Sequence, residues 1–218
     1  MKTTRFVILL LLVLGFAGGA CAQDFNIPVF RGELAEKYNF PIDGTVYAYS
    51  DEFETGEVVF NGKLYTGLMM NLNAHRDELQ VAIGSTGERM ALRRELVWDF
   101  IVGKRKYTSL CGERAVKGLQ QGYYQVLHRG DDMLLKRIHK TVSDRIESFT
   151  RQTVKVFTTK HRYYLVKDGK VYTIKNERGL AKFYRQDKDR IKDYVKRNHG
   201  MRVERDDLLQ GIMELMED

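Results

Sequence analysis

The five histidines are the residues of this sequence best able to carry acid–base or metal chemistry. No two of them lie at the spacing of a metal-binding pair, and neither an HExxH nor a CxxC motif occurs. Two of them, eleven residues apart, lie on opposite arms of a predicted hairpin whose register could bring them near each other. We predict no metal site and no cofactor. The histidines are His75, His128, His139, His161 and His199, and the hairpin pair is His128 and His139.

The serines and the paired acids form no catalytic pattern. No serine lies in a GxSxG context, and no glycine-rich phosphate loop follows a strand-like segment. Asp131-Asp132 and Asp206-Asp207 are adjacent acids, but neighbouring side chains on a strand point to opposite faces. We therefore assign no catalytic residue and expect a protein that is not an enzyme. The alternative is a hydrolase whose site assembles from distant residues, which a cleft holding a histidine and a carboxylate of perturbed pKa would favour.

The first residues have the plan of a secretory signal. Lys2 and Arg5 precede an apolar run of eleven residues, 6–16, and small residues follow it. A helix that spans a bilayer needs about 20 apolar residues, so this run is short for a membrane anchor. We predict that residues 1–22 are a signal peptide, that the protein is exported to the periplasm or the outer-membrane periphery, and that the mature chain has no transmembrane helix.

The small residues at the end of this segment predict where it is cut. Cleavage between Ala22 and Gln23 fits a small-x-small site, and lipid attachment at Cys21 is the alternative that the pattern leaves open. After cleavage before Gln23, Cys111 is the only thiol, so the mature chain cannot form an internal disulfide. We expect Cys111 to be a partly buried structural residue.

Charge is distributed unevenly along the chain. Residues 23–101 contain 7 basic and 13 acidic residues, a net charge of −6, whereas residues 102–218 contain 27 and 16, a net charge of +11. A basic half suggests an anionic partner, and after export we do not expect that partner to be nucleic acid. We expect another envelope protein or an anionic envelope component, such as a phospholipid head group.

Strand-like segments separated by turns dominate the chain up to residue 174. No proline follows Pro41, which suits long paired strands because proline lacks the N–H that a ladder needs. Asn61-Gly62 and Asp168-Gly169 stand between β-forming residues, and both predict two-residue hairpins of type I′ rather than a repeated binding site. The predicted strands cover residues 45–50, 57–60, 63–72, 78–83, 89–93, 96–102, 106–110, 123–128, 133–142, 153–159 and 163–174.

Apolar periodicity assigns the buried faces. Alternation in the predicted strand 96–102 places Leu96, Trp98, Phe100 and Val102 on one face. After residue 175 the apolar spacing becomes helical and predicts three short helices, with Asn176 and Asp187 as caps. These helices cover residues 177–185, 187–199 and 205–216.

These elements predict a β-rich α+β protein: an antiparallel sandwich, roll or partly open barrel of about ten strands with short C-terminal helices packed on it. Residues 23–174 would form the β body, beginning with an irregular segment that includes a short helix over residues 32–38. Residues 175–218 would form a basic helical segment packed on that body.

The phrase "GEVVFNGKLYTGLMMNLNAHRDELQV" resembles a recurring pattern in uncharacterised exported proteins of the Bacteroidota. The resemblance continues at "GYYQVLHRGDDMLLKRIHK" and "RYYLVKDGKVYTIKN" and covers most of residues 56–200. It implies an envelope location and a β-rich fold, and it implies no activity and no catalytic residue. We expect non-catalytic binding or scaffolding in the envelope. A second hypothesis is a carrier of an apolar ligand or lipid, with residues 68–70 lining a β cavity.

Overall fold

The computed structural model describes residues 30–84, 87–199 and 203–217. The predicted signal peptide, with Cys21, Ala22 and Gln23, lies outside the described residues. Within them, twelve strands precede three helices. The strands are β1 (Gly32–Leu34), β2 (Ile42–Asp43), β3 (Glu54–Phe60), β4 (Lys63–Asn73), β5 (Glu78–Ile83), β6 (Glu88–Leu92), β7 (Val97–Val102), β8 (Arg105–Leu110), β9 (Gly122–Arg129), β10 (Met133–Ile146), β11 (Thr153–Lys167) and β12 (Lys170–Ile174). The helices are α1 (Glu177–Ala181), α2 (Lys188–His199) and α3 (Arg205–Glu217).

The strands form one large, open and mostly antiparallel sheet. Its order is β1-β6-β5-β4-β3-β7-β8-β9-β10-β11-β12, and β2 pairs in parallel with β11. Strands make up 49% of the described residues and helical segments 21%, which confirms the predicted β-rich α+β class. Most sheet neighbours are also sequence neighbours, because short turns join antiparallel strands directly.

The two predicted hairpin turns are confirmed. Asn61 and Gly62 have φ values of 49° and 78°, and Asp168 and Gly169 have φ values of 50° and 67°. Positive φ at both central residues is the requirement of a type I′ turn. Asparagine, aspartate and glycine reach this region at low cost, so the local sequence specifies both turns.

The sheet curls so that the end of β4 meets the middle of β10. The backbone N–H of Lys140 donates to the carbonyl of Ala74 over 3.2 Å, although four strands separate β4 from β10 in the sheet order. The curled strands enclose the main hydrophobic core. Its fully buried members include Val58, Met70, Leu79 and Val97.

A bulge in β7 changes which side chains reach this core. Phe60 of β3 pairs with Val97, but the residue two places before Phe60 pairs with Phe100, so β7 uses one residue more than β3. Val97 is therefore fully buried, whereas Trp98 is 45% exposed beneath the guanidinium of Arg114. The prediction that Trp98 shares a face with Phe100 is wrong, because strict alternation fails across a bulge.

Two further predicted elements are wrong. The short helix predicted over residues 32–38 is replaced by the edge strand β1, which pairs with β6. The segment over residues 45–50, predicted as a strand, is irregular. Its backbone pairing with the sheet is an isolated bridge between Tyr47 and Asn73. Residues 46–48 are all buried, and a strand with one open face cannot bury three consecutive side chains.

The three helices pack on the end of the sheet formed by β9 to β12. The side chain of Asn176 accepts the N–H of Gly179 over 2.9 Å, which confirms the predicted cap of α1. A 3-10 turn at Arg185–Asp187 separates α1 from α2, so the first helix is shorter than predicted. The helices share a second core with the sheet, which includes Leu134, Leu165, Leu180, Ile191, Leu209 and Ile212. No helix within the described residues is long and apolar enough to cross a membrane.

Candidate anion-binding site

One face of the β10–β11 hairpin carries a block of basic side chains. The register places Arg137 opposite Arg162 and His139 opposite Lys160. Because side chains alternate along a strand, all four share one face of the sheet. Like charges directly opposite each other destabilise a sheet. The two guanidinium groups in direct opposition, of Arg137 and Arg162, would therefore be stabilised by negative charge placed against them.

The turn between β4 and β5 closes one side of this face. Asn73 is fully buried, and its Oδ1 accepts the backbone N–H groups of His75 and Arg76, each over 3.1 Å. Its Nδ2 donates to the hydroxyl of Tyr38 over 3.1 Å. Asp77 completes the turn with a φ of 59°. An asparagine side chain that bonds backbone two and three residues ahead thus specifies the turn.

The carboxylate of Asp77 is already used by protein groups. Its Oδ2 lies 3.4 Å from Arg137 Nη2 and 3.5 Å from Arg94 Nη2. Its Oδ1 accepts the backbone N–H of Tyr123 over 3.2 Å. Arg137 is fixed further by donating to the hydroxyl of Tyr124 over 3.0 Å. One carboxylate therefore holds two guanidinium groups in place.

His75 is oriented by Lys140, the residue of β10 that also bonds to Ala74 where the sheet curls. Its Nδ1 lies 3.3 Å from the carbonyl oxygen of Lys140. A carbonyl can only accept, so Nδ1 carries the proton and Nε2 is left for another partner. The ring stands edge-on to Phe157 with centroids 5.0 Å apart. His75 is thus held in one tautomer beside β10.

The surroundings of His139 favour its neutral form. Partial burial lowers the pKa of His139 below its ordinary value of 6.5, and the positive charge of Arg137 and the neighbouring His75 lower it further. Arg162 acts in the same direction, and Asp77 opposes them. A bound anion would raise the pKa of His139 again, because it would favour the imidazolium.

These side chains line an open cavity of about 420 Å³, a size typical of sites for small ligands. Asp77 is the one carboxylate among its described lining residues. Lys160 and Arg162 also line it, and neither has an ion-pair partner in the part of the chain that the structure describes. The cavity therefore has more positive charge than the protein itself neutralises.

The register of the hairpin does not bring His128 and His139 together. His128 pairs with Leu134 across β9 and β10, and its Nε2 contacts Glu217 Oε1 of α3 over 2.9 Å. His139 lies five residues beyond Leu134 and faces the basic cavity. Sequence reasoning missed His75, because only the curling of the sheet places it beside β10. It also missed the signal of basic residues at alternate positions in two adjacent strands.

The adjacent acids form no dyad. Asp132 and Asp206 each accept hydrogen bonds from one lysine and one tyrosine, so both are tied into the packing of the helices on the sheet. Cys111 is partly buried. Among the described residues, no group of three His, Cys, Asp or Glu side chains is placed to hold a metal ion. Leu68 and Met70, which were expected to line a carrier cavity, belong to the main core.

No protein-family model matches the sequence, and comparisons with curated proteins and with solved structures find no match either.

Proposed function

We propose that this protein is a non-catalytic binding protein that takes up phosphate groups of an anionic envelope component in the basic cavity. The observations that support it are the opposition of Arg137 and Arg162 across β10 and β11 and the lack of an ion-pair partner for Lys160 and Arg162 among the described residues. A ligand that supplies negative charge would relieve this repulsion. The basic C-terminal half of the sequence points to the same class of partner.

Phosphate suits the donors of this cavity better than a carboxylate does. Guanidinium groups bind phosphate with two parallel N–H bonds, and Arg162, which has no ion-pair partner among the described residues, provides such a group on the cavity face. His75 and His139 add ring nitrogens, and Lys160 adds an ammonium. Several donors around one anion match the several oxygens of a phosphate.

Calorimetry with inorganic pyrophosphate tests this proposal. An exposed ion pair contributes up to about 1 kcal/mol, so the variant K160Q/R162Q should bind pyrophosphate roughly ten- to thirtyfold more weakly than the natural protein. The matched control is K63Q/K170Q, which removes two exposed lysines at the hairpin turns and should change the affinity less than about twofold. Equal loss in both variants would mean unspecific charge attraction and would refute the site.

We also propose that the protein is located in the envelope and that its mature chain begins at Gln23. The charged start, short apolar run and small residues of the first 22 positions support export. The denatured mass of protein extracted from its own host distinguishes a chain that starts at Gln23 from one that starts at an acylated Cys21. A mass that includes residues 1–22 would refute the predicted cleavage.

A second candidate function is hydrolysis of a phosphate ester in the same cavity. It is favoured because the cavity holds two histidines and Asp77, and the lowered pKa of His139 leaves a neutral imidazole that can accept a proton. The test is turnover of bis(p-nitrophenyl) phosphate by the natural protein and by H139Q. Turnover that H139Q abolishes would establish the enzyme, and absence of turnover alongside pyrophosphate binding would leave the binding function.

A further inference from the structure

A second cavity, of about 480 Å³, lies between the sheet and the start of α3 and shares no lining residue with the basic cavity. Gln125 of β9 and Tyr49, which precedes β3, line the side of the cavity formed by the sheet. The β7–β8 turn and β8 form one wall, and the residues around the start of α3 form the other. Its contacts are therefore independent of those that support phosphate binding.

A directed chain of hydrogen bonds ends at this cavity. Lys136 is 3% exposed, and its Nζ donates to Tyr49 OH over 3.1 Å. Because an ammonium only donates, the Tyr49 hydroxyl must give its own hydrogen to Gln125, whose Oε1 accepts it over 2.6 Å. The amide nitrogen of Gln125 then keeps two N–H donors, and neither has a protein partner among the described residues.

Those two donors belong to a side chain that is otherwise enclosed. Gln125 is 9% exposed, and it lines the cavity. Among the described residues, the fully buried polar side-chain atoms without a partner are Arg94 Nε and the hydroxyl of Tyr123, so the Gln125 amide nitrogen is open to the cavity, and an oxygen that enters the cavity can accept from it. A carboxylate or carbonyl oxygen is the acceptor that an amide N–H takes most readily.

The two walls carry opposite charges that do not neutralise each other. Lys104 lies in the turn before β8, and Glu204 and Asp207 lie at the start of α3. Lys106 also borders the cavity, but its side chain is on the opposite face of β8 from Gln125, because Tyr107 is the residue that pairs with Gln125. Within the described residues, none of these four charged side chains makes an ion pair at 4.0 Å or less. Arg105 also lines the cavity, but its guanidinium is already paired over 2.7 Å with a glutamate of β3.

We propose that this cavity binds a zwitterion of the amino-acid or short-peptide class. The carboxylate would accept from the amide nitrogen of Gln125 and face Lys104. The ammonium would lie against Glu204 and Asp207. A ligand with opposite charges at its two ends can pair with the charges of both walls and accept from Gln125. Neither a simple anion nor a simple cation can do both.

Titration followed by NMR with the dipeptide glycylglycine tests this inference. Glycylglycine should bind saturably below about 10 mM. N-acetyl-glycylglycine lacks the ammonium and glycylglycinamide lacks the carboxylate, and each should bind at least about tenfold more weakly, since each loses the attraction of one wall. Absence of saturable binding of glycylglycine would overturn the inference, as would tighter binding of phosphoethanolamine, because that result would assign a different zwitterion.

Variants of each wall make the test specific. E204Q/D207N should bind glycylglycine and its N-acetyl derivative equally, and K104Q should reduce the preference for glycylglycine over its amide. The matched control K63Q/E88Q neutralises two exposed residues outside the cavity and should retain both preferences. If the wall variants keep the preference for glycylglycine over its two derivatives, the charged walls do not select the ligand, and the inference is refuted. Pyrophosphate affinity should be unchanged in E204Q/D207N, which separates this cavity from the phosphate site.

Discussion

The backbone N–H of Lys140 donates to the carbonyl of Ala74, and this contact joins two strands that have four others between them in the sheet. It also sets the position of His75, whose ring nitrogen contacts the carbonyl of Lys140. The basic cavity exists because the sheet curls at this point. Residues that are distant in the sequence and in the sheet order thereby share one surface.

Asn73 should be essential for this closure. N73A removes the buried acceptor of two backbone N–H groups in the turn and the partner of Tyr38, so we expect a loss of about 2 kcal/mol in the free energy of unfolding and weaker pyrophosphate binding. Urea denaturation and calorimetry measure the two effects. N71A is the matched control, because Asn71 is also buried but bonds to carbonyls outside the cavity. N71A should lower stability and leave pyrophosphate affinity unchanged, and unchanged affinity in N73A would contradict this role.

The pair formed by Lys136 and Asp206 should be strongly coupled. The ammonium is buried and lies 2.5 Å from the carboxylate, so K136M should cost about 3 kcal/mol because it leaves a carboxylate in a mostly enclosed place. The double variant K136M/D206L should cost clearly less than the sum of the single changes, since an apolar pair needs no charge partner. A double-mutant cycle in urea measures this coupling. Additive costs would show that the two charges act separately.

Acidification should destabilise the free protein through His139 and His161. Burial lowers the pKa of both below 6.5. Between the lowered folded pKa and 6.5 the unfolded chain binds more protons, so stability is full above pH 6.5 and falls as the pH drops through that window. Urea midpoints at pH 7.5 and about 5.5 should therefore differ less in H139Q/H161Q than in the natural protein.

The pyrophosphate complex should respond to pH in the opposite direction. An anion beside His139 favours the imidazolium, so binding takes up a proton and tightens as the pH falls below 6.5. Calorimetry in two buffers of different ionisation enthalpy would detect this proton uptake. K63Q should retain it and H139Q should reduce it; proton release on binding would contradict the placement of the anion beside His139.

The bulge in β7 should be visible in stability. V97A creates a cavity at a fully buried position and should lower the free energy of unfolding by about 2 kcal/mol. W98A removes a larger side chain that is 45% exposed, and it should lower this free energy less than V97A does. Chemical denaturation followed by circular dichroism compares the two variants without relying on tryptophan fluorescence. The reverse order would mean that Trp98 faces the core, as strict alternation predicts.

The hairpin turns should depend on the conformational freedom of glycine. G169A places a Cβ at a φ of 67° with no neighbouring atom within 4 Å, so the expected loss of about 1 kcal/mol comes from backbone strain alone. G179A makes the same chemical change within α1, where alanine is the better helix former, and should stabilise the protein or leave it unchanged. Equal effects at both glycines would contradict the type I′ turn.

Local chemistry is what the sequence by itself determined about this protein. The hairpins at Asn61-Gly62 and Asp168-Gly169, the cap at Asn176 and the helical tail follow from residues that interact within a few positions, so they could be predicted. The β-rich class follows from the same patterns. The segment over residues 45–50 could not be placed, because its burial depends on distant strands.

Tertiary structure alone decided where the candidate sites lie. The bulge that exposes Trp98 depends on pairing between β3 and β7, and the basic cavity depends on the contact between Lys140 and Ala74. The chain leading from Lys136 to Gln125 depends on a residue before β3 and strands far along the chain. Such contacts join residues that are far apart in the sequence, so no local pattern predicts them. The free energy that fixes them comes from curling the whole sheet around its core.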